Sequence, residues 1–428
     1  MENNKTPSIR FKGFTDPWEQ RKVLDLLELL TDYDANGSFA DMAKNINTTD
    51  GDGYAWYVRI TDLENPKPLS ELKYVDESSY EFLKKTELHG GELLMAKRGN
   101  IGKVYIFEPR TKYATVAPNM YLLKLNNKVI PHFLYDYFVS EEGNKKLTRL
   151  NASSTMGALY KDDVKNIDVI MPSIEEQAMI GNFFQSIDHI ITLHQRKYNK
   201  LLNVKKSMLE KMFPKNGSNI PEIRFKGFTD PWEQRKLGDI LISLQNNTLS
   251  RADLSNEAGV AKNVHYGDVL IKFGEVLDVS KEKLPMISDE SVLSKYKSSF
   301  LQNGDVIVAD TAEDSTVGKC SEIAGLNDEV VLSGLHTIPY RPIEKFASGY
   351  LGYYLNSSAY HNHLIPLMQG IKVTSISKSA MQDTDIVYPK SVEEQGKIGD
   401  YFQSLDHLIT LHQRELEKLQ NIKKSMLE

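Results

Sequence analysis

The sequence predicts an α+β fold built twice: two α/β domains separated by two long antiparallel helices that form a coiled coil, with the halves related by a pseudo-two-fold internal repeat. Three observations carry this expectation. The twelve residues FKGFTDPWEQRK stand at 11–22 and again, unchanged, at 225–236. FQSIDHIITLHQRK at 184–197 returns as FQSLDHLITLHQRE at 402–415, preceded by IEEQ and VEEQ and followed by KKSMLE in both copies. Between these segments, 23–171 and 237–388 share almost no identity beyond strand and turn patterns such as GELLMAKRGNIGK and GDVIVADTAEDSTVGK. The offset is 214 for the first match and 218 for the second, so the inserts differ in length by four residues. A duplication kept its frame and diversified what the frame carries. The expected division is a first insert domain over 1–172, a helix over 173–215, a second insert domain over 216–390 and a second helix over 391–428.

The N-terminal repeat reads as a structural joint. Asp16-Pro17 and Asp230-Pro231 suit an N-cap followed by proline at the first helical position, opening a short helix such as WEQRKVLDLLELL. Trp18 and Trp232 are expected to anchor that helix.

The C-terminal repeat has helical periodicity. Heptads counted from Ile180 place Ile187, His194, Leu201 and Met208 at a, Phe183, Ile190, Lys197 and Val204 at d, and Phe184, Ile191 and Tyr198 at e; the second copy repeats the stripe through Leu405, Ile409, His412 and Leu419. Ile187, Ile191, His194, Leu201, Leu405, Ile409, His412 and Leu419 are therefore the expected core of a helix pair about 50 Å long. His194 and His412 interrupt equivalent apolar seams near mid-helix, and in an antiparallel pair they are expected near the local two-fold as register keys. The first helix runs on through Glu210-Lys-Met-Phe-Pro-Lys215, whereas its counterpart stops at Glu428, which leaves the contacts at that end open.

Composition narrows the function. Hydrophobic residues make up 40% and charged residues 26% of the 428, a globular balance. No apolar run approaches the ~18 residues needed to cross a bilayer and the first residues lack a signal-peptide core, so a soluble cytoplasmic protein with no membrane partner is expected. Cys320 is the single cysteine, which excludes an internal disulfide or a multi-cysteine metal cluster. The net charge of −6 divides unevenly: 30 basic against 29 acidic residues in 1–217, and 22 against 29 beyond. Any surface for a polyanion is therefore local.

Catalytic and cofactor motifs are weak. Gly102-Lys103 and Gly318-Lys319 lack the rest of a phosphate-binding loop. His361 and His363 have no third ligand at metal-site spacing, so no metal is expected. Asp62 with Glu71 and Lys73 imitates a nuclease pattern too short to be distinctive and without a counterpart in the second copy. What recurs is a set of strands ending in turns rich in small, polar and basic residues, suited to close approach to phosphates and bases. In the first insert these offer Arg59, Thr61, Lys97, Arg98, Asn100, Lys103, Ser154, Thr155, Tyr160 and Lys161. In the second they offer His265, Lys272, Thr311, Lys319, Lys372, Thr374, Ser375 and Lys378.

Two variable domains alternating with near-identical helices that open MPSIEEQ and YPKSVEEQ resemble the specificity subunit of type I restriction-modification systems, over essentially the whole chain. That resemblance implies a non-catalytic reader of double-stranded DNA, with each variable domain a target-recognition domain for one half of a split sequence. It also implies helices that fix the unread gap, two methyltransferase subunits docked on the frame, and restriction/translocase subunits joining them. S-adenosylmethionine, ATP and magnesium would then belong to those partners, with no cofactor on this chain. The competing expectation is a tandem scaffold that assembles proteins and shows no sequence preference on DNA.

Overall fold

The computed structural model describes residues 7–99, 101–153, 158–215 and 217–428. It divides into two compact units: Met1–His194 with Glu415–Glu428, and Gln195–Arg414. Each unit thus owns one insert, the start of one long helix and the end of the other. The helices are Ile174–Lys211 and Val392–Leu427, 38 and 36 residues long.

The N-terminal repeat does not form the expected helix. Glu19–Lys22 is a strand paired antiparallel with Asp168–Met171, and in the second unit Glu233–Lys236 pairs with Asp385–Tyr388 in the same register. A short 3-10 turn, Val23–Leu26, follows, and Leu27–Asp32 is again a strand. The apolar spacing of Val23, Leu26, Leu27 and Leu30 satisfies a helical pattern, but a turn that buries Val23 and Leu26 followed by a strand uses the same residues. The backbone partner at 168–171 then decides between them. Trp18 and Trp232 are anchors as expected, though of a ribbon: Trp18 meets Phe133 edge-on at 6.0 Å, and Trp232 is buried.

The ribbon is locked to the start of its long helix by a clamp that explains both repeats. Arg10 donates two bonds of 2.7 Å to the Glu176 carboxylate, and Arg224 does the same to Glu394 at 2.6 and 2.8 Å. Glu176 and Glu394 are 1% exposed, so these are fork-to-fork pairs in a largely dry setting. Hydrogen bonding to the carboxylate holds each guanidinium's pKa above its ordinary value. The neighbouring glutamine fixes the insert. Gln177 accepts from the Ile130 N–H and donates to the Pro172 carbonyl, while Gln395 accepts from Ala347 and donates to Pro389. The repeated EEQ is a joint between helix, ribbon and insert.

Each insert is built on two main sheets, and the second adds a two-stranded one. In the first, the strands Leu27–Asp32, Met120–Leu125, Leu93–Ala96 and Val104–Ile106 lie in that order, all antiparallel. A five-stranded sheet is centred on Ala55–Val58, parallel to Ala114–Val116. The second insert repeats the plan with Leu241–Ser243, Thr337–Pro342, Val306–Ala309 and Cys320–Ala324, adds Val276–Asp278 parallel to the last, and pairs Ala261–Val264 parallel to Val331–Ser333. Strands such as LLMA and VIVA are buried at every residue, which fits their position between neighbours with a packed layer on each face.

On the long helices the covered part of the expected a/d/e stripe lies mostly on a and e. Ile187, Leu405 and Ile409 are buried, and Ile191, His194, Leu201, His412 and Leu419 are half-buried. The d residues Ile190, Lys197 and Leu408 are exposed. A spacing alternating between three and four residues admits either column beside a; the e column carries Phe184, Ile191, Phe402, Ile409 and Leu416, and is the larger apolar load. Polar pairs mark equivalent places on the stripe. In the first unit Lys423 grips both oxygens of Asp188 at 2.6 and 2.7 Å. In the second Lys205 reaches Asp406 at 2.6 Å and Glu275 at 2.9 Å.

Candidate nucleic-acid interface

Both inserts build the same three-loop junction at the C-terminal end of their central strand. Ala96 N–H donates to the Lys103 carbonyl and Gly102 N–H to the Ala96 carbonyl; Ala309 and Lys319, Gly318 and Ala309 repeat the pattern. A second loop enters where Lys97 N–H meets the Asn119 carbonyl, matched by Asp310 and His336. A third enters where Leu159 N–H meets the Lys97 carbonyl, matched by Ile376 and Asp310. Gly318 sits at φ +87, and a Cβ there would lie 2.5 Å from Leu364, so the turn requires glycine.

Asn119 and His336 occupy the left-handed region, at φ 74 and 57, the two non-glycine residues to do so among the described residues. Asparagine tolerates this; histidine does so at a cost on the order of 1–2 kcal/mol. The same tight reversal in both inserts brings the Asn119 and His336 carbonyls to the junction.

The loops carry unlike chemistry. In the first, Lys97 donates to Asp32 at 2.8 Å and to Asp34, and Lys161 donates to the other Asp32 oxygen at 2.8 Å. Both ammonium groups lie over the Tyr121 ring, at 5.7 and 6.0 Å, and the Tyr121 hydroxyl donates to the Leu159 carbonyl. Burial would raise the Asp32 pKa, but the two lysines outweigh it and hold it below the ordinary value. For Lys97 burial pulls the pKa down and the two aspartates carry it above normal. In the second insert the corresponding cluster is Thr311 donating to Asp310 at 2.8 Å, His336 Nδ1 3.4 Å from the same carboxylate, and Tyr266 edge-on to His336 at 5.3 Å.

The candidate residues therefore divide. Lys97 and Lys161 are tied to carboxylates within the junction, Lys97 to Asp32 and Asp34 and Lys161 to Asp32. Arg59 caps the short helix Ile60–Glu64 and is held by Asp62 at 2.7 and 3.0 Å. Lys103 pairs with Glu64 at 2.9 Å. Lys319 turns inward to the Leu270 carbonyl at 2.8 Å, and burial lowers its pKa. Lys272 bonds the Lys283 carbonyl. His265 caps the helix Tyr266–Ile271 by accepting from Gly267 N–H, and burial followed by the Arg251 charge lowers its pKa. Thr374 and Ser375 form a strand pair with Thr311–Ala312. Arg98, Lys372 and Lys378 are exposed cations with no ion pair among the described residues, and Thr61 and Tyr160 are exposed. Asn100, Ser154 and Thr155 lie outside the described residues. The nuclease imitation dissolves, since Asp62 is spent on Arg59 and Lys73 faces Asp50 at 3.6 Å.

Sequence reasoning missed Asp32, Tyr121, Asn119, Asp310 and His336. The one available signal was that GELLMAKRG and GDVIVADTA align at the strand end, which marks Lys97 and Asp310 as equivalent positions. No group of three or more metal-ligating side chains occurs among the described residues, and no helix among them is long and apolar enough to cross a membrane.

A family model described as the type I restriction modification DNA specificity domain matches the chain twice, over 15–203 and 229–421. The MjaX type I restriction enzyme specificity subunit of Methanocaldococcus jannaschii is 24% identical over 96% of this chain and 92% of its own length. The MjaVIII specificity subunit of the same organism is 24% identical over 78% of this chain and 76% of its own. The crystal structure of a type I restriction-modification S subunit from M. genitalium, 13% identical, superposes with a TM-score of 0.57 over 99% of this chain and 98% of that one, which supports the shared fold. With two copies of the domain spanning most of its length, each carrying the three-loop junction, the chain belongs to the type I restriction-modification DNA specificity family and serves sequence-specific DNA recognition.

Proposed function

We propose that each unit reads one half of a bipartite, asymmetric DNA sequence at its three-loop junction. The observation that carries this reading is the recurrence of one backbone junction bearing unlike side chains. A shared frame supplies the approach to the duplex, while Lys-Asp-Lys with Tyr121 on one side and Thr-Asp-His with Tyr266 on the other supply different hydrogen-bonding faces. Arg98 in the first unit, and Lys372 with Lys378 in the second, are the cations available to phosphates or base edges.

The long helices act as an antiparallel coiled coil that sets the distance between the readers. The equivalent pairs Lys423 to Asp188 and Lys205 to Asp406 favour this: in each unit an early residue of one helix meets a late residue of the other. A helix of 38 residues measures about 57 Å, somewhat more than one DNA turn of about 35 Å. His194 and His412 are the register keys in this reading. The frame docks two methyltransferase subunits, with restriction/translocase subunits joining for cleavage. The chain itself is non-catalytic and cytoplasmic, and S-adenosylmethionine, ATP and magnesium act through the partners. With a net charge of −6, this chain alone binds DNA weakly and loses affinity steeply in salt, and the partners supply much of the attraction.

The test is co-expression with the methyltransferase partner in a host lacking adenine methylation, with modified sites mapped by long-read sequencing. A two-part asymmetric motif is expected; Arg98→Ala relaxes one half of it and Lys372→Ala the other, with assembly intact. If loop substitutions alter complex formation and leave target choice alone, the chain is a scaffold and the reading fails.

A further inference from the structure

Among the described residues, the three most exposed large apolar side chains are Ile371, Phe39 and Ile271, at 101, 91 and 89%. Each is tied to a junction by its neighbours. Phe39 shares a cavity of about 590 Å³ with Asp34, which accepts from Lys97, and with Pro118, which precedes Asn119. Ile271 ends the helix Tyr266–Ile271, whose Tyr266 meets His336 and whose Leu270 carbonyl accepts from Lys319. Ile371 stands in the third loop of the second junction.

That loop is a closed finger. Gln369 and Ser375 exchange both backbone hydrogen bonds, at 2.9 and 2.8 Å, across the five residues 370–374. Thr374 and Ser375 pair with Ala312 and Thr311, and the buried Ile376 donates its N–H to the Asp310 carbonyl at 2.9 Å, which fastens the finger to the junction. Gly370 lies at φ +117, and a Cβ there would strike the Val373 carbonyl oxygen, so the turn requires glycine. Its tip presents Ile371, Lys372 and Val373, all exposed.

In water an isoleucine at such a tip forgoes the burial that its neighbour Ile376 obtains. The adjoining charge indicates what would cover it. Lys372 is next in the chain and Lys378 opens the following helix, both exposed and without an ion pair among the described residues, so the finger suits a polyanion that also displays apolar groups. On the base edges of the major groove that apolar group is the thymine 5-methyl, set between phosphates that attract lysine. We propose that Ile371 is a specificity-determining residue of the second unit: it packs on the 5-methyl group of a thymine in that unit's half-site, while Lys372 draws the finger to the duplex. This rests on the reading that the second junction faces DNA.

The experiment uses the chain in complex with its methyltransferase partner, and duplexes carrying the mapped site in which each thymine in turn is replaced by deoxyuridine, which lacks only the methyl group. Binding is measured for the unsubstituted chain and for Ile371→Ala. In the half that Lys372→Ala relaxes, one such replacement is expected to weaken binding by the unsubstituted complex about fourfold, the worth of one buried methyl. Ile371→Ala is expected to bind the thymine duplex more weakly by a similar factor and to lose the response at that position alone. A variant that keeps every thymine response, or a half-site without thymine, overturns the proposal and leaves two-part recognition standing. Absence of any two-part motif overturns two-part recognition itself. A uniform loss across the half with the thymine responses intact marks a wedge between base steps, and failure of the variant to assemble marks a protein contact; each of these also overturns the proposal.

Discussion

The two units share a clamp, a two-sheet insert and an aromatic cluster, yet one cluster is closed over Phe213 and the other surrounds a void. Where identical sequence meets identical partners, as at Arg10 with Glu176 and Arg224 with Glu394, the geometry repeats to within about 0.1 Å. Phe213 packs among Trp232, Tyr350, Tyr354 and Phe402 in the second unit, whereas Trp18, Phe133, Tyr137 and Phe184 of the first unit line a cavity. The junctions teach the converse: one backbone arrangement supports unlike chemistry once its turns are fixed.

Emptying the closed cluster breaks the comparison most strongly. Phe213→Ala makes the second unit resemble the first and costs about 3–5 kcal/mol, the range for removing a buried aromatic from a packed core. Phe184→Ala, whose side chain already borders a void, costs less. Denaturant unfolding of each variant, with amide exchange assigning the loss to its unit, checks the order.

A smaller effect sharpens the contrast between pinned and free cations. Lys97→Ala removes one of the two lysines on buried Asp32 and destabilises the first unit by about 1.5–3 kcal/mol, the range for a hydrogen bond to a charged group. Arg98→Ala leaves melting unchanged and weakens DNA binding by the assembled complex. Thermal melts beside salt-dependent binding isotherms separate the two.

A further effect is a pH dependence. Asp136 is buried and lines a cavity of the first unit. Burial pushes its pKa up to about 8, with the Asp188 charge adding and Lys423 opposing. Its unfolded value is about 3.9. Between those values the folded state holds a proton that the unfolded state lacks, so this group's contribution to stability falls as pH rises from about 4 to about 8. Asp136→Asn removes that slope: it leaves the melting temperature unchanged near pH 4 and raises it at pH 8.5. Melts at the two pH values check the sign.

Much of this frame was legible in the sequence, for identifiable reasons. The long helices declare themselves because 3.6-residue periodicity persists over ten turns, and the duplicated EEQ marks their starts. Of the expected a/d/e stripe, the a and e columns carry most of the cover, because packing decides which of the two columns flanking a is buried. WEQRKVLDLLELL was misread because its strands are fixed by residues about 150 and about 90 positions away, ladders invisible to local pattern. The junction pins were out of reach for a related reason: Asp32 pairs with Lys97 and Lys161 from a distant strand, so free and satisfied lysines look alike in a list of letters. Arg10 and Arg224 could have been found, since the repeat extends two residues upstream through Ile-Arg.

The central claim is that each unit reads its own half of the target through its own insert. Replacing residues 237–384, which lie between the ribbon strands of the second unit, with the matching insert of another family member tests it directly, with modified adenines mapped in a methylation-free host. The account predicts that one half of the recognised sequence changes while the other half and the gap between them stay fixed. A motif that changes in both halves, or in neither, would contradict it.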